Sequence, residues 1–198
     1  MTSKFNNMEI NSQYLESVKK LFLYYKTIGE KAMDQLEPEQ LFISLKEDTN
    51  SIAIIVKHLS GNMLSRWTDF LTTDGEKEWR NRDNEFENEI QDKTELLKKW
   101  NDGWDCCFNA INSLQTEQLS DIIYIRNEGH SVADAINRQL AHYPYHVGQI
   151  VFYAKLLKKG DWESLSIPKN KSATYNADKF SKERTIKNFT DDEFNKLK

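Results

Sequence analysis

The sequence predicts an all-α fold, a four-helix bundle, and three observations support that prediction. Only seven glycines and three prolines occur among 198 residues, well below the roughly 7% and 5% of average proteins, so long helices meet few breakers. Four stretches place apolar residues at three- and four-residue steps, which is the helical period. A long polar crossover connects the second and third stretches, and such crossovers occur in bundles of four helices.

The four predicted helices differ in how clearly their ends are marked. Asn50 is the predicted N-cap of the second helix, because its side chain can accept a hydrogen bond from a free backbone N–H. Ser131 and Asp134 resemble a capping box at the start of the fourth helix. Gly160 follows the last turn of that helix, where glycine commonly ends helices. The predicted ranges are about 10–36, 51–70, 85–116 and 131–158.

The segments between and after these helices are polar or short. Residues 71–83 form the polar crossover, and residues 121–130 predict a short β excursion with a turn near Asn127. Residues 161–198 form a polar C-terminal tail that we expect to pack on the bundle or to be partly mobile. The predicted organisation is therefore one bundle over residues 1–160, followed by that tail.

Composition argues against several classes of protein. The chain carries 27 basic and 31 acidic side chains, a net charge of −4, which is not the basic surplus of a nucleic-acid-binding domain. No apolar run approaches the roughly 18 residues of a membrane span, and the N-terminus lacks the apolar segment of a secretion signal. The adjacent Cys106 and Cys107 do not form a disulfide framework. They predict a reducing, cytoplasmic location, and we interpret them as buried side chains rather than a redox couple.

The four histidines are the most informative residues about chemistry. His142 and His146 are four residues apart in the fourth predicted helix, so both rings leave the same face. This spacing allows one metal ion to bind both imidazoles. His58 lies in the second predicted helix. His130 lies in the turn before the fourth helix, where we expect a surface role.

Helical-wheel positions place three of these histidines beside the predicted core. In the second and the fourth helix, an apolar stripe is flanked by a row of small and polar residues. His58 lies in that row of the second helix, and His142 and His146 lie in that row of the fourth. If the two rows face each other, the three imidazoles converge next to a cavity. The alternative is that His58 is a hydrogen-bonded core histidine and that the pair forms a solvated edge.

Three histidines without a fourth ligand predict a catalytic rather than a structural metal site. Neutral imidazole binds divalent transition metals, and zinc and nickel are the ions we expect here. Three protein ligands leave a coordination position for water or substrate. A bound metal lowers the pKa of a water or thiol in that position. A structural zinc site normally has four protein ligands, and the sequence offers no convincing fourth.

Other polar residues lie close to the predicted ligands. Asn62 and Gln149 could orient the imidazoles or bind substrate, although ordinary pairing with buried polar groups is the simpler interpretation. Arg138 could bind a substrate carboxylate with two hydrogen bonds, or pair with an acidic residue of the next helix. Arg66 could help the crossover to cover the pocket, or simply pack against that loop. The run at residues 85–95 is interpreted as a solvated acidic face at the start of the third helix.

Two long blocks of this sequence resemble a known family. They are SIAIIVKHLSGNMLSRWTDFLTTDGEKEWRNRD at residues 51–83 and INRQLAHYPYHVGQIVFYAKLL at residues 136–157, and LSIPKNKS at residues 165–172 also fits. From about residue 10 to 175, the chain resembles the DUF1572 branch of the DinB/YfiT-like superfamily. The resemblance implies a four-helix bundle, often a homodimer, with one metal-binding His in helix two and a His-x-x-x-His pair in helix four. These roles correspond to His58, His142 and His146.

The resemblance also implies candidate activities. Relatives in the wider superfamily include S-transferases that use bacillithiol or mycothiol, and a maleylpyruvate isomerase, with a cofactor thiolate as the implied nucleophile. We therefore expect a metal-dependent enzyme, a thiol S-transferase or a hydrolase, with a small-molecule substrate, a low-molecular-weight thiol and no nucleic-acid or membrane partner. The alternative is a non-catalytic metal-binding bundle with a structural or stress-related role. Pro144 departs from a regular helix between the paired histidines, and it predicts a kink there.

Overall fold

The computed structural model is mostly helical and describes residues 2–87, 89–90 and 92–197. Its long helices are α1 (Thr2–Met33), α2 (Ile52–Trp67), α3 (Lys93–Ser113) and α4 (Val132–Leu157). Two short helices, α5 (Ser172–Phe180) and α6 (Thr190–Leu197), follow near the C-terminus. The strands β1 (Ile122–Ile125) and β2 (Glu128–Ser131) form a small antiparallel sheet before α4. None of the described helices combines the length and apolar character that a membrane crossing requires.

The long helices pack in pairs around an aromatic core. α2 lies along α3 and α1 lies along α4, and further contacts join α2 to α4 and α1 to α3. Trp104 of α3 is fully buried and meets three rings edge-on: Phe22, Trp100 and Tyr143, with centroids 6.2, 5.6 and 5.7 Å away. Each such pair contributes about 0.5–1.5 kcal/mol beyond the burial of its area. One tryptophan therefore links α1, α3 and α4.

α2 is shorter than predicted at both ends. Its N-cap is Ser51, whose hydroxyl accepts a hydrogen bond from the backbone N–H of Ile54 at 3.2 Å, so the prediction of Asn50 is wrong by one residue. The helix ends at Trp67, and Asp69 adopts a left-handed backbone conformation with a φ of 47°. Nearly all of α2 is buried, including His58. The helix is therefore surrounded by protein rather than half-exposed.

α3 begins at Lys93 instead of residue 85, which corrects the predicted start. Asp92 is the N-cap, and its carboxylate accepts a hydrogen bond from the N–H of Glu95 at 2.9 Å. The apolar spacing upstream belongs instead to a separate 3-10 turn at Asp83–Phe86. The carboxylate of Glu85 in that turn contacts His58 of α2 at 2.9 Å and also pairs with Arg80 of the crossover.

The predicted β excursion is confirmed, and it is tied to the crossover. The two turn residues Arg126 and Asn127 have φ values of 56° and 62°, which is the pattern of a type I′ hairpin turn. The carboxylate of Asp74 accepts hydrogen bonds from both of their N–H groups, at 2.8 and 2.9 Å. This contact brings Arg126 to Glu76, the same carboxylate that Arg66 of α2 contacts.

α4 has the predicted start and end. The Ser131 hydroxyl accepts a hydrogen bond from the backbone N–H three residues later, at 3.1 Å, and Gly160 follows the helix with a φ of 95°. The helix continues through Pro144, whose missing N–H removes one backbone hydrogen bond. The histidines on either side of this proline, His142 and His146, remain neighbours on one face.

The C-terminal tail is partly helical, and its end lies along α1. Lys20 pairs with Asp191 at 2.6 Å, and the ring of Tyr24 meets Phe189 edge-on with centroids 5.6 Å apart. α5 has no buried residue, and Lys179 at its end forms an ion pair with the next helix. The tail is therefore anchored mainly through α6 and the residues just before it.

Candidate metal centre

α2 and α4 bring three imidazoles together where the sequence predicted that they could meet. His58 lies on α2, while His142 and His146 lie on consecutive turns of α4. One ring nitrogen of each lies within 4.8 Å of those of the other two. The Nε2 atoms of His142 and His146 are 3.1 Å apart. Ligands that share a tetrahedral ion through bonds of about 2.0–2.1 Å lie roughly 3.3 Å from each other, so this separation fits one ion.

The other nitrogen of each ring faces an oxygen acceptor. The Nδ1 atom of His58 lies 2.9 Å from a carboxylate oxygen of Glu85. The Nδ1 atoms of His142 and His146 lie 3.3 and 2.7 Å from the amide oxygens of Gln139 and Gln149. An acceptor at this position keeps the ring proton on Nδ1 and leaves the lone pair on Nε2. All three rings are therefore arranged to present Nε2 to a cation.

Electrostatics favour the neutral form of the paired histidines. Burial lowers the pKa of His142 to about 3, and the neighbouring His146 and His58 add to the effect. Burial also lowers the pKa of His146, against the opposing effect of its hydrogen bond with Gln149. Two neutral rings with facing Nε2 lone pairs have no proton to share between them. A bound cation would relieve this repulsion, and neutral imidazole is the form that binds metals.

A buried carboxylate fixes the orientation of His58. Glu85 is only 5% exposed, and its two oxygens accept hydrogen bonds from Arg80 at 2.7 and 2.9 Å. Burial alone would raise the pKa of Glu85, but the hydrogen bonds from His58 and Arg80 outweigh it and keep the pKa below its usual range. The carboxylate is therefore charged. A carboxylate on the far nitrogen of a metal-binding histidine sets the ring's tautomer and direction.

This arrangement corrects the interpretation of residues 85–95 as a solvated acidic face. Glu85 turns inward to α2 because Arg80 and His58 offer it three hydrogen bonds. Gly61 of α2 makes room for it, since a Cβ atom there would collide with the Glu85 carboxylate. Residues 88 and 91 of the acidic run lie outside the described residues.

The three predicted auxiliary residues occupy different positions. Asn62 is buried, and its side-chain oxygen accepts a hydrogen bond from the Tyr143 hydroxyl at 3.2 Å, so it joins α2 to α4. Gln149 contacts His146 directly and also donates to the Tyr145 hydroxyl at 3.1 Å. Arg138 is exposed and lies at the cavity described next, without the predicted acidic partner among the described residues.

A cavity of about 550 Å³ opens onto the three histidines. Its most unusual feature is its arginines: among the described residues, five arginines line it and no carboxylate does. The aromatic ring of Phe86 also lines it and stacks on His58, with centroids 5.1 Å apart. The five arginines are Arg66, Arg80, Arg82, Arg126 and Arg138. A second cavity, of about 690 Å³, lies beside Trp67 and Cys106 and contains none of the histidines.

Sequence reasoning missed Glu85 and three of the arginines, namely Arg80, Arg82 and Arg126. These residues lie in the crossover, the 3-10 turn and the hairpin, which have no helical period. One signal was available in the composition: only six arginines occur in the chain, and four of them fall between residues 66 and 126. The summed count of lysine and arginine, 27, hides this concentration of arginine.

The fourth histidine and the two cysteines lie outside the cluster. His130 lies in β2 and is half-buried, rather than in a surface turn as expected. Its Nδ1 atom lies 3.1 Å from Asp134, and it is not part of the three-histidine cluster. Cys107 is fully buried and Cys106 is half-buried, and neither forms a disulfide. Burial raises the pKa of both thiols, so both are protonated near neutral pH. Protonated thiols are poor nucleophiles, which fits packing roles for both cysteines.

The cluster has the composition of an open metal site. Among the described residues, no further His, Cys, Asp or Glu joins the three histidines in the cluster. Three nitrogen ligands leave at least one coordination position, and the cavity supplies space beside it. The residues present therefore fit a divalent transition metal that also binds a small molecule.

Fold and site together define a mostly helical protein with three converging histidines beside an arginine-lined cavity. Residues 9–171 match the family model described as "Protein of unknown function (DUF1572)", and the chain belongs to that family. No curated protein and no solved structure matches the chain. Since the family description names no activity, the functional proposal depends on the site.

Proposed function

We propose that this chain holds a divalent transition metal through His58, His142 and His146 and acts as a metal-dependent enzyme on a small molecule. One observation carries the proposal: three imidazoles converge within 4.8 Å, and each has its Nδ1 atom against an oxygen acceptor. Zinc or nickel is the ion we propose, because an all-imidazole ligand set suits both.

The chemistry follows from the open coordination position. When bound, the metal would supply Lewis acidity. A Lewis acid lowers the pKa of a coordinated water or thiol towards neutral pH. The residues of the chain would bind, orient and shield: Glu85 fixes His58, Gln149 fixes His146, and the cavity holds the reacting molecule. We propose a thiol S-transferase or a hydrolase, with a low-molecular-weight thiol as the second cofactor of the former.

Broader relationships are part of the same proposal. Three nitrogen ligands from the second and fourth long helices are what the DinB/YfiT-like superfamily would provide, and we propose membership in it. We further propose that the four long helices form its four-helix bundle over residues 1–160, with residues 161–198 as an appended tail. A homodimer in the cytoplasm completes the proposal.

A non-catalytic role is the second candidate, and one observation favours it. No carboxylate, lysine or cysteine lines the histidine cavity, so the described residues offer no evident general base other than histidine. In this alternative, the metal would stabilise the fold or a binding surface. Chelator treatment separates the two candidates: a large loss of thermal stability without ligand binding supports the structural role, whereas a small loss with ligand binding supports the enzyme.

Metal titration of the tag-free protein tests the binding site. We expect one ion per chain, and we expect His142→Ala to weaken binding more than about 100-fold, because loss of an outer hydrogen-bond partner alone costs about 10–100-fold. His130→Ala is the matched control, since this histidine lies outside the cluster. Equal affinity in both variants would contradict the proposed ligand set.

Activity is tested on metal-loaded protein. Bacillithiol and glutathione would be offered with electrophiles, and hydrolysable esters and amides would be offered without a thiol. The proposal predicts turnover that is lost in His58→Ala and retained in His130→Ala. Turnover that is unchanged in His58→Ala would contradict it.

A further inference from the structure

Arginine is concentrated at the histidine cavity to an unusual degree. The chain has 27 basic residues, of which six are arginine. Five of these six line the cavity, and none of the lysines that the structure describes does. A guanidinium group presents a planar fork of N–H donors that matches the two oxygens of a carboxylate or phosphate, which a lysine ammonium does not. The cationic groups of the cavity are therefore all of the type that binds carboxylates and phosphates through two hydrogen bonds.

The acidic residues nearby do not compensate all of this positive charge. Glu76 pairs with Arg66, Arg80 and Arg126, and Glu85 pairs with Arg80. The two remaining cavity arginines, Arg82 and Arg138, have no carboxylate partner among the described residues. Arg82 lies over the ring of Phe86, at 5.6 Å from the ring centroid. Both are exposed and accessible to a ligand.

Arg66 supplies an independent observation that points to an anion in this cavity. Its side chain is 6% exposed, and its buried Nε atom has no hydrogen-bond partner among the described residues. Burial lowers the pKa of Arg66, against the opposing effect of Glu76. A buried donor without an acceptor is costly. Arg66 lines the cavity, and its carboxylate partner Glu76 is shared with Arg80 and Arg126, so an anion in the cavity would add to the compensation of its charge.

We propose that the cavity binds a small organic anion, whose carboxylate or phosphate oxygens are held by Arg66, Arg82 and Arg138 beside the three histidines. The volume of about 550 Å³ suits a metabolite-sized molecule. The inference deepens the proposed function, because it names an anion as the substrate class of the same site. The arginines do not depend on the metal, so the anion site can be tested without it.

Calorimetry on the full-length, chelator-treated protein tests the anion site directly. Succinate and inorganic phosphate are the two anionic probes, and succinamide is the uncharged control of nearly the same shape as succinate. We expect saturable binding of at least one anion, one per chain, and none of succinamide. The affinity should fall with added sodium chloride, because salt screens charge pairs. The tighter of the two probes identifies the carboxylate or the phosphate class.

Variants assign the binding to the cavity. Arg138→Gln removes an exposed arginine without an acidic partner, and loss of one charge-assisted contact should weaken binding about tenfold. Arg138→Lys keeps the charge but loses the planar fork, so an intermediate loss is expected. Arg184→Gln is the matched control, because this exposed arginine of the tail lies outside the cavity. Arg82→Gln combined with Arg138→Gln should abolish measurable binding.

The inference is overturned if neither anion binds, if succinamide binds as well as succinate, or if Arg184→Gln weakens binding as much as Arg138→Gln does. These results are distinguishable from failure of the metal site. If metal titration shows no ion but chelator-treated His58→Ala protein still binds the anion, the metal site fails and the anion site is supported. Metal binding without anion binding would leave the metal centre intact and remove the substrate class proposed here.

Discussion

Each of the three clustered histidines is set by a different neighbour. The orientation of the His58 ring depends on Glu85, which lies in the 3-10 turn after the crossover. The two rings of α4 are oriented by glutamines of their own helix, Gln139 and Gln149. A glutamine three residues from a histidine keeps its oxygen close as long as the helix holds. The contact of His58 instead requires the crossover and the 3-10 turn that carries Glu85 to fold correctly. Of the three contacts, it is therefore the most sensitive to changes outside its own helix.

The lowered pKa of His142 predicts acid sensitivity of the metal-free protein. Its folded pKa is about 3, against 6.5 for an unperturbed histidine. Between these values the unfolded chain binds more protons, so stability is present above about pH 6.5 and is lost as the pH falls towards 3. We expect the melting temperature of the chelated protein to fall between pH 7.5 and 5.5, and less so in His142→Gln. A fall of equal size in His142→Gln and His130→Gln would refute the assignment.

The histidines were predictable at this scale, and their partners were not. His142 and His146 follow a four-residue period beside the apolar stripe of α4, and His58 holds the equivalent place on α2, so periodicity alone selected them. Glu85 lies in a 3-10 turn, where no period marks which side chains face inward. Only the ion pairs with Arg80 reveal that its run of acidic residues is not solvated throughout.

At the scale of elements, α2 and the crossover act together. Ion pairs join Arg66 of α2 to Glu76, and Arg80 to Glu76 and Glu85. Asp74 then fixes the hairpin before α4. The crossover thus connects the helix that carries His58 to the segment that leads into the other two histidines. The late start of α3 at Lys93 leaves enough chain for this connection.

Gly61 provides a test of that connection. Alanine is the better helix former by about 1 kcal/mol, yet a Cβ atom at residue 61 would collide with the Glu85 carboxylate. We therefore expect Gly61→Ala to displace Glu85 and to weaken metal binding about 10–100-fold, as loss of an outer partner does. Gly148→Ala on α4 is the control, because a Cβ atom there meets nothing within 4 Å. Unchanged metal affinity in Gly61→Ala would show that Glu85 does not orient His58.

Helix ends were predictable where a side-chain cap coincides with a change in hydrophobic pattern. Ser131 and Gly160 mark both ends of α4 in this way. The ends of α2 and α3 were misplaced, because Asn50 stands next to an equally good cap at Ser51, and because Phe86 and Ile90 continue the apolar spacing upstream of α3. In the segment just before α3, Glu85 and Glu89 form ion pairs with Arg80 and Lys57. These tertiary contacts, rather than local helix propensity, determine its conformation.

At the scale of the whole molecule, the site lies between two helices that belong to different packed pairs. His58 lies on α2, which packs along α3, and the other two histidines lie on α4, which packs along α1. The site therefore forms only when the two pairs are assembled. Metal bound to this junction should stabilise the fold by mass action, because the unfolded chain does not hold the three imidazoles together.

The central claim is that one divalent transition metal binds the three imidazoles, and X-ray absorption on metal-loaded, tag-free protein tests it most directly. The structure predicts one first-row ion per chain, with three imidazole nitrogens at about 2.0–2.1 Å, and fewer imidazoles in His58→Ala. A spectrum without imidazole scattering, or the same spectrum from wild type and His58→Ala, would contradict the claim.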